Sequence, residues 1–138
     1  MKNILVVDDN ALIKEVLVQW IRSTVQDARI LTAGNGKEAL EILKNTPVSL
    51  VMTDLQMPVM NGYELIEYCK ENRPEIKVYA MTGERTPEVA RRLGLMGVPM
   101  TIEKPFDFGE VAGRIRDALA DKPGIMDASH EQDFAAAL

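Results

Sequence analysis

Ile4-Leu5-Val6-Val7-Asp8-Asp9 decides the fold: four consecutive apolar residues that stop on two acids. A strand with one wet face alternates polar and apolar side chains. A strand covered on both faces, as in a parallel sheet, is apolar at successive positions. The same run with a polar stop recurs along the chain. Val48-Ser49-Leu50-Val51-Met52-Thr53 stops at Asp54, and Ile76-Lys77-Val78-Tyr79-Ala80-Met81 stops at Thr82. The weaker Pro99-Met100-Thr101-Ile102-Glu103 leads to Lys104-Pro105, and Arg29-Ile30-Leu31-Thr32-Ala33 leads to Gly34-Asn35-Gly36.

Helical patterns fill the gaps. From about Ala11 to Val25, the residues Leu12, Val16 and Ile21 stand close to helical spacing. Gly36 to Asn45 carries Ala39, Leu40 and Leu43 and ends at Pro47; Asn61 to Glu71 carries Leu65, Ile66 and Cys69, with Pro74 beyond. Thr86-Pro87-Glu88 reads as an N-cap with proline in the first turn. Gly94 and Gly97 interrupt that fourth helix, which should be short. Asp107-Phe108-Gly109-Glu110 reads as a capping box for a last helix running to about Ala120. Strict strand–helix alternation predicts an α/β fold with a five-stranded parallel sheet and helices on both faces.

With 138 residues the chain has room for about one domain. The alternation ends near residue 121, so 1–121 is expected to form the domain and 122–138 a linker and short tail or helix. Ser129-His130-Glu131-Gln132 could cap such a helix, with Phe134 and Leu138 on one face. The net charge of −5 argues against direct nucleic-acid binding. Cys69 is the single cysteine, so no internal disulfide forms, and a reducing, cytoplasmic setting is expected. No apolar run is long enough to span a membrane, and the first residues lack the apolar core of a signal peptide. Cys69 is expected on a core-facing helix side, Trp20 in the packing of the first helix, and His130 in solvent.

Asp8, Asp9, Asp54, Thr82 and Lys104 all fall at or just beyond strand ends. In an open α/β sheet those ends form one rim, and ligands bind in the crevice there. Three carboxylates brought together repel one another unless a cation intervenes. A hard divalent ion such as Mg²⁺ takes oxygen ligands and needs only one or two carboxylates alongside waters and a phosphate oxygen. Lys104 adds a compact positive charge and Thr82 a hydroxyl donor. The set describes a phosphoryl site in which Asp54 can be the nucleophile.

The motifs Ile4-Leu5-Val6-Val7-Asp8-Asp9, Asp54-Leu55-Gln56-Met57-Pro58-Val59-Met60-Asn61-Gly62, Met81-Thr82-Gly83 and Glu103-Lys104-Pro105-Phe106 resemble those of the receiver domains of two-component response regulators. The resemblance covers about residues 2–120. It implies a flavodoxin-like strand order of 2-1-3-4-5, for which the doubly wound chemotaxis receiver is a standard example. It also implies that Asp54 is the phosphate acceptor, Asp9 a direct Mg²⁺ ligand and Asp8 a ligand through water. Asp54 itself and the backbone carbonyl of Gln56 would complete the metal set. Lys104 would pair with one phosphoryl oxygen and Thr82 would hydrogen-bond another. Gly83 would keep access to Asp54 open, and Pro105 would be cis-linked, as X–Pro bonds alone tolerate. The family often places an aromatic ring three residues before the lysine; here that position is Thr101. The signal should then run through the loop after Thr82 and the fourth helix, whose Arg85, Arg91 and Arg92 sit near the partner face.

The function implied is a phosphorylation-activated signalling switch rather than an enzyme acting on a metabolite, with self-catalysed phosphorylation and dephosphorylation at Asp54. The partners implied are a sensor histidine kinase or phosphotransfer protein and an effector reading the face of the fourth helix, fifth strand and fifth helix. A second copy of the chain is a further candidate partner. Two alternatives belong to other classes. A Mg²⁺-dependent aspartyl phosphohydrolase would want a general acid two residues after the nucleophile, where Gln56 stands. A phosphorylation-independent docking module would not need the complete set of acids, threonine and lysine.

Overall fold

The computed structural model describes residues 2–57, 59–83, 86–98, 100–104 and 107–120. Pro58, Arg85, Pro105 with its expected cis bond, Phe106, and the 122–138 tail with His130 lie outside the described residues. The elements alternate without exception: β1 (Lys2–Val7), α1 (Ala11–Thr24), β2 (Ala28–Ala33), α2 (Gly36–Asn45), β3 (Leu50–Asp54), α3 (Gly62–Asn72), β4 (Lys77–Thr82), α4 (Pro87–Leu95), β5 (Met100–Glu103) and α5 (Phe108–Leu119). The strands form one parallel sheet in the order β2-β1-β3-β4-β5, as expected.

β1, β2, β3 and β4 each divide their buried side chains between two cores. Leu5, Val7, Val51 and Val78 pack with Ala39, Leu43, Leu65, Ile66, Cys69 and Leu93 from α2, α3 and α4. Ile4, Val6, Leu50, Met52, Tyr79 and Met81 pack with Leu17, Val18 and Ile21 of α1 and Val111, Ile115 and Ala118 of α5. This is why the β1, β3 and β4 sequences are apolar at successive positions: both faces of these strands are covered. Trp20 is half-buried against the second core, and Cys69 is buried in the first.

Local chemistry starts the helices where the sequence suggested. Asn10, Asn35, Asn61, Thr86 and Asp107 each accept a hydrogen bond from a first-turn N–H, satisfying donors that have no intrahelical partner. Gly94 lies inside α4, and Gly97, at φ +72°, ends it. The other end of the molecule is tied by long side chains. Lys2 and Lys77 donate to the last carbonyls of α5, at Leu119 (2.8 Å) and Ala118 (3.0 Å), where cations complement the helix dipole.

One expected face is corrected. The spacing puts Leu12 and Val16 with Ile21, yet they are 70% and 45% exposed, while Leu17, Val18 and Ile21 face the sheet. A helix turns about 100° per residue, so positions 16 and 21 differ by roughly 140° and cannot share a stripe, whereas 17 and 21 differ by about 40°.

Candidate functional site

Asp8 follows β1 directly. Its backbone N–H donates to Ala33 O at 3.1 Å, which holds it beside β2, and its side chain is fully buried. Asp54 is the last residue of β3 and pairs in register with Met81, one residue before Thr82. Thr82 closes β4 in register with Glu103, and Lys104 follows β5. A further backbone bond, from Lys104 N–H to Thr82 O at 2.9 Å, locks the last two strand ends together. Four parallel strands thus end on one rim, as the rule for open α/β sheets requires.

The side chains converge. Lys104 Nζ donates to Asp8 Oδ2 at 3.0 Å and to Asp54 Oδ2 at 3.3 Å, across separations of 96 and 50 residues. Asp8 Oδ1 also accepts from the Asn10 N–H at 2.9 Å, and Asp54 Oδ1 accepts from the Gln56 N–H at 3.3 Å. Asp9 is exposed at the mouth. One carboxylate oxygen from each of Asp8, Asp9 and Asp54 lies within 4.8 Å of the others. The structure therefore brings together the three acids and the lysine, with Thr82 buried at the neighbouring strand end. Gln56 joins through its backbone N–H, and its side chain is exposed. Gly83 leaves open space where a Cβ would stand.

The charges do not balance. Three carboxylates face one ammonium, a formal excess of two negative charges. Burial pushes the Asp54 carboxyl above the usual carboxylate range; Lys104 opposes that push and Asp8 adds to it. Burial alone would lower the Lys104 pKa, but the hydrogen bond and charge of Asp8, with those of Asp54, outweigh it and raise it. A cluster of oxygen donors with unneutralised negative charge, partly shielded from water, fits a hard divalent cation.

Three residues complete the site that the strand-end pattern did not reveal. Asn10 braces Asp8 through its N–H while its side chain caps α1 with bonds of 3.0 and 3.1 Å. Its signal was present, an Asx residue just before a helix. Thr53 is buried and donates its hydroxyl to Asp54 O at 2.9 Å, and nothing in the sequence marks it. Gly62 opens α3 against the acceptor strand: its N–H donates to Leu55 O at 3.0 Å, and a Cβ there would run into Asp54 O and Leu55 Cα. The Asn61-Gly62 pair hints at a tight turn but not at what it touches.

Outside the rim, Cys69 is buried among apolar residues and its thiol is pushed up to about 11, which makes it inert at neutral pH. No helix of the described residues is long and apolar enough to cross a membrane.

The family model for the response regulator receiver domain matches residues 4–116. Over 125 residues the chain is 39% identical to a probable transcriptional regulator, ycf27, of Porphyra purpurea, covering 88% of this chain and 49% of that protein. Over 122 residues it is 36% identical to a probable cyclic di-GMP phosphodiesterase of Vibrio cholerae, covering 86% of this chain and 27% of that protein. The chain thus spans about half or less of the length of these curated relatives. Among solved structures it is similar to the BeF3-activated receiver domain of DrrB from Thermotoga maritima, with 27% identity, a TM-score of 0.79, and coverage of 87% of this chain and 98% of that one.

Proposed function

The chain belongs to the response regulator receiver domain family, and from that premise we propose that it is a phosphorylation switch whose acceptor is Asp54. A receiver domain is a signalling module of two-component systems. One observation above all supports Asp54 as acceptor: Lys104 Nζ lies 3.0 Å from Asp8 and 3.3 Å from Asp54, inside a cluster of three acids.

An Asp54 carboxylate oxygen attacks the phosphorus of a phosphohistidine presented by a histidine kinase or phosphotransfer protein. The phosphorus–nitrogen bond breaks, its electron pair returns to the imidazole, and an acyl phosphate remains on Asp54. Lys104, already held between Asp8 and Asp54, meets charge on the transferring oxygens without reorganising. Thr82 offers a hydroxyl from the next strand end. Asp8, Asp9, Asp54 and the Gln56 carbonyl would hold Mg²⁺, which when bound supplies positive charge against the phosphoryl oxygens. The acyl phosphate carries about −1.5 to −2 charges where one carboxylate charge stood, and that change biases the face of α4, β5 and α5 toward its partner. Phosphorylation and its reversal are catalysed by the domain's own residues, in the cytoplasm. The effector is a separate partner or a domain of a longer chain.

The exposed Leu12 and Val16, four residues apart on α1 and just past the acids, supply an apolar contact for the phosphoryl donor protein. Incubation with Mg²⁺ and a small acyl phosphate tests the acceptor directly. Wild type should gain the mass of one phosphoryl group and Asp54→Ala should gain none. An equal gain on both would defeat the assignment.

A further inference from the structure

α4 is held lightly. Among its residues Leu93 is buried, with Val89 and the adjoining Met96 half-buried against the core. Gly94 sits within it, facing open space, so it adds backbone freedom and no packing. Beyond that apolar packing, two polar contacts among the described residues tie this region to α3. The Arg92 guanidinium stands over the Tyr63 ring, 3.8 Å from its centroid, and Lys70 Nζ donates to Gly97 O at 3.0 Å.

The location of Tyr63 gives the first contact its interest. Tyr63 is the second residue of α3, directly after Gly62, the glycine seated on the backbone of Asp54 and Leu55. One residue therefore separates the ring from the backbone that carries the proposed acceptor. At its other end α4 begins at the Thr86 cap, four residues after Thr82. The helix is thus connected to the rim from both sides, while position 101 in β5 carries threonine rather than a ring.

We propose that Tyr63 is a positioning residue: with Arg92 it forms a latch that holds α4 against α3 in the resting state, and the signalling state releases it. The proposal rests on the phosphoryl reading of the rim. A contact made in only one of two states shifts their ratio by its own free energy, and a ligand of the other state then binds more tightly once the contact is gone. An exposed cation–π pair is strong enough to change such a ratio by about two- to fivefold.

The test is calorimetric titration of the full chain with beryllofluoride, a tetrahedral phosphoryl mimic, in the presence of Mg²⁺. Tyr63→Leu and Arg92→Gln should each tighten binding by about two- to fivefold. The double variant should gain no more than either alone. Tyr63→Phe should bind as wild type, because a phenyl face keeps the attraction for the guanidinium. Amide exchange without ligand provides a second readout: α4 should exchange faster in Tyr63→Leu while β1 and β3 stay unchanged. Unchanged or weakened binding in Tyr63→Leu would overturn the latch, as would Tyr63→Phe behaving like Tyr63→Leu or faster exchange spread across β1 and β3. If wild type binds beryllofluoride and the variants match it, the latch alone falls. If wild type neither binds it nor gains a phosphoryl group, the underlying reading falls and takes the latch with it.

Discussion

Replacing Lys104 with methionine keeps the length and apolar stem of the side chain and removes the ammonium that bridges Asp8 and Asp54. Asp8 is fully buried, and the Lys104 and Asp54 side chains are 19% and 14% exposed. The gross attraction of each pair at about 3 Å is roughly 5 kcal/mol at an effective dielectric near 20, but desolvation of the ions cancels much of it. Breaking a buried pair by removing one partner costs about 3–5 kcal/mol. The Asn10 N–H still braces Asp8 and the mouth is open to water, so about 2–3 kcal/mol is expected here. For a domain of this size that corresponds to a fall in Tm of about 8–12 °C. Asp54→Asn should do the opposite. The Asp54 pKa is raised in the fold, chiefly by burial. Its contribution is therefore fully present below the unfolded value near 3.8 and is lost as pH rises through the folded value. Asparagine never ionises, so this variant should melt above wild type at pH 7. Thermal unfolding followed by circular dichroism, without divalent ions, reads both. The Lys104→Met deficit should shrink as pH falls toward 4 and Asp54, whose pKa burial raises, takes up a proton. It should also vanish at strongly alkaline pH, because the contribution of a lysine with a raised pKa is present below about 10.5 and lost above its folded value. Millimolar Mg²⁺ should narrow the gap between the two variants by supplying charge the acids lack. A Lys104→Met protein as stable as wild type at pH 7, or an Asp54→Asn protein less stable than it, would refute the electrostatic account of the rim.

Three further outcomes are expected. Gly62→Ala places a methyl group against Asp54 O and 2.8 Å from Leu55 Cα, so it should cost at least about 2–3 kcal/mol in denaturant unfolding and slow phosphoryl uptake. Leu12→Ser with Val16→Ser touches exposed positions and should leave stability within about 0.5 kcal/mol of wild type. That pair should lower the transfer rate from a phosphohistidine protein severalfold while uptake from a small acyl phosphate is unchanged. Cys69 should resist alkylation at pH 8 in the folded protein and react at once in denaturant, as mass spectrometry would show.

Much of this was legible in the residues because a dry strand and its polar stop are both local signals. Ile4 to Val7 could only be covered on two faces, and Asp8, Asp54 and Lys104 announced themselves by interrupting apolar runs. The sheet rule then converted distance along the chain into proximity, and the 3.0 and 3.3 Å contacts of Lys104 agree with it. The rotation of α1 was less accessible. Leu12 and Val16 are as hydrophobic as Leu17 and Val18, so hydrophobicity could not say which pair faces the sheet; the angular step from Ile21 could. Thr53 and the Arg92–Tyr63 pair left no signal, since each depends on which residues meet across elements rather than on any local pattern.

The outer strands of the sheet have a consequence for self-association. β2 keeps Ile30 and Ala33 inward but leaves Arg29 and Thr32 exposed, and β5 is four residues long. Long, flat, greasy margins invite a neighbour's backbone to zip on and start a stack; a charged margin and a stubby one do not. Edge-to-edge merging of two such sheets is therefore disfavoured by the margins themselves.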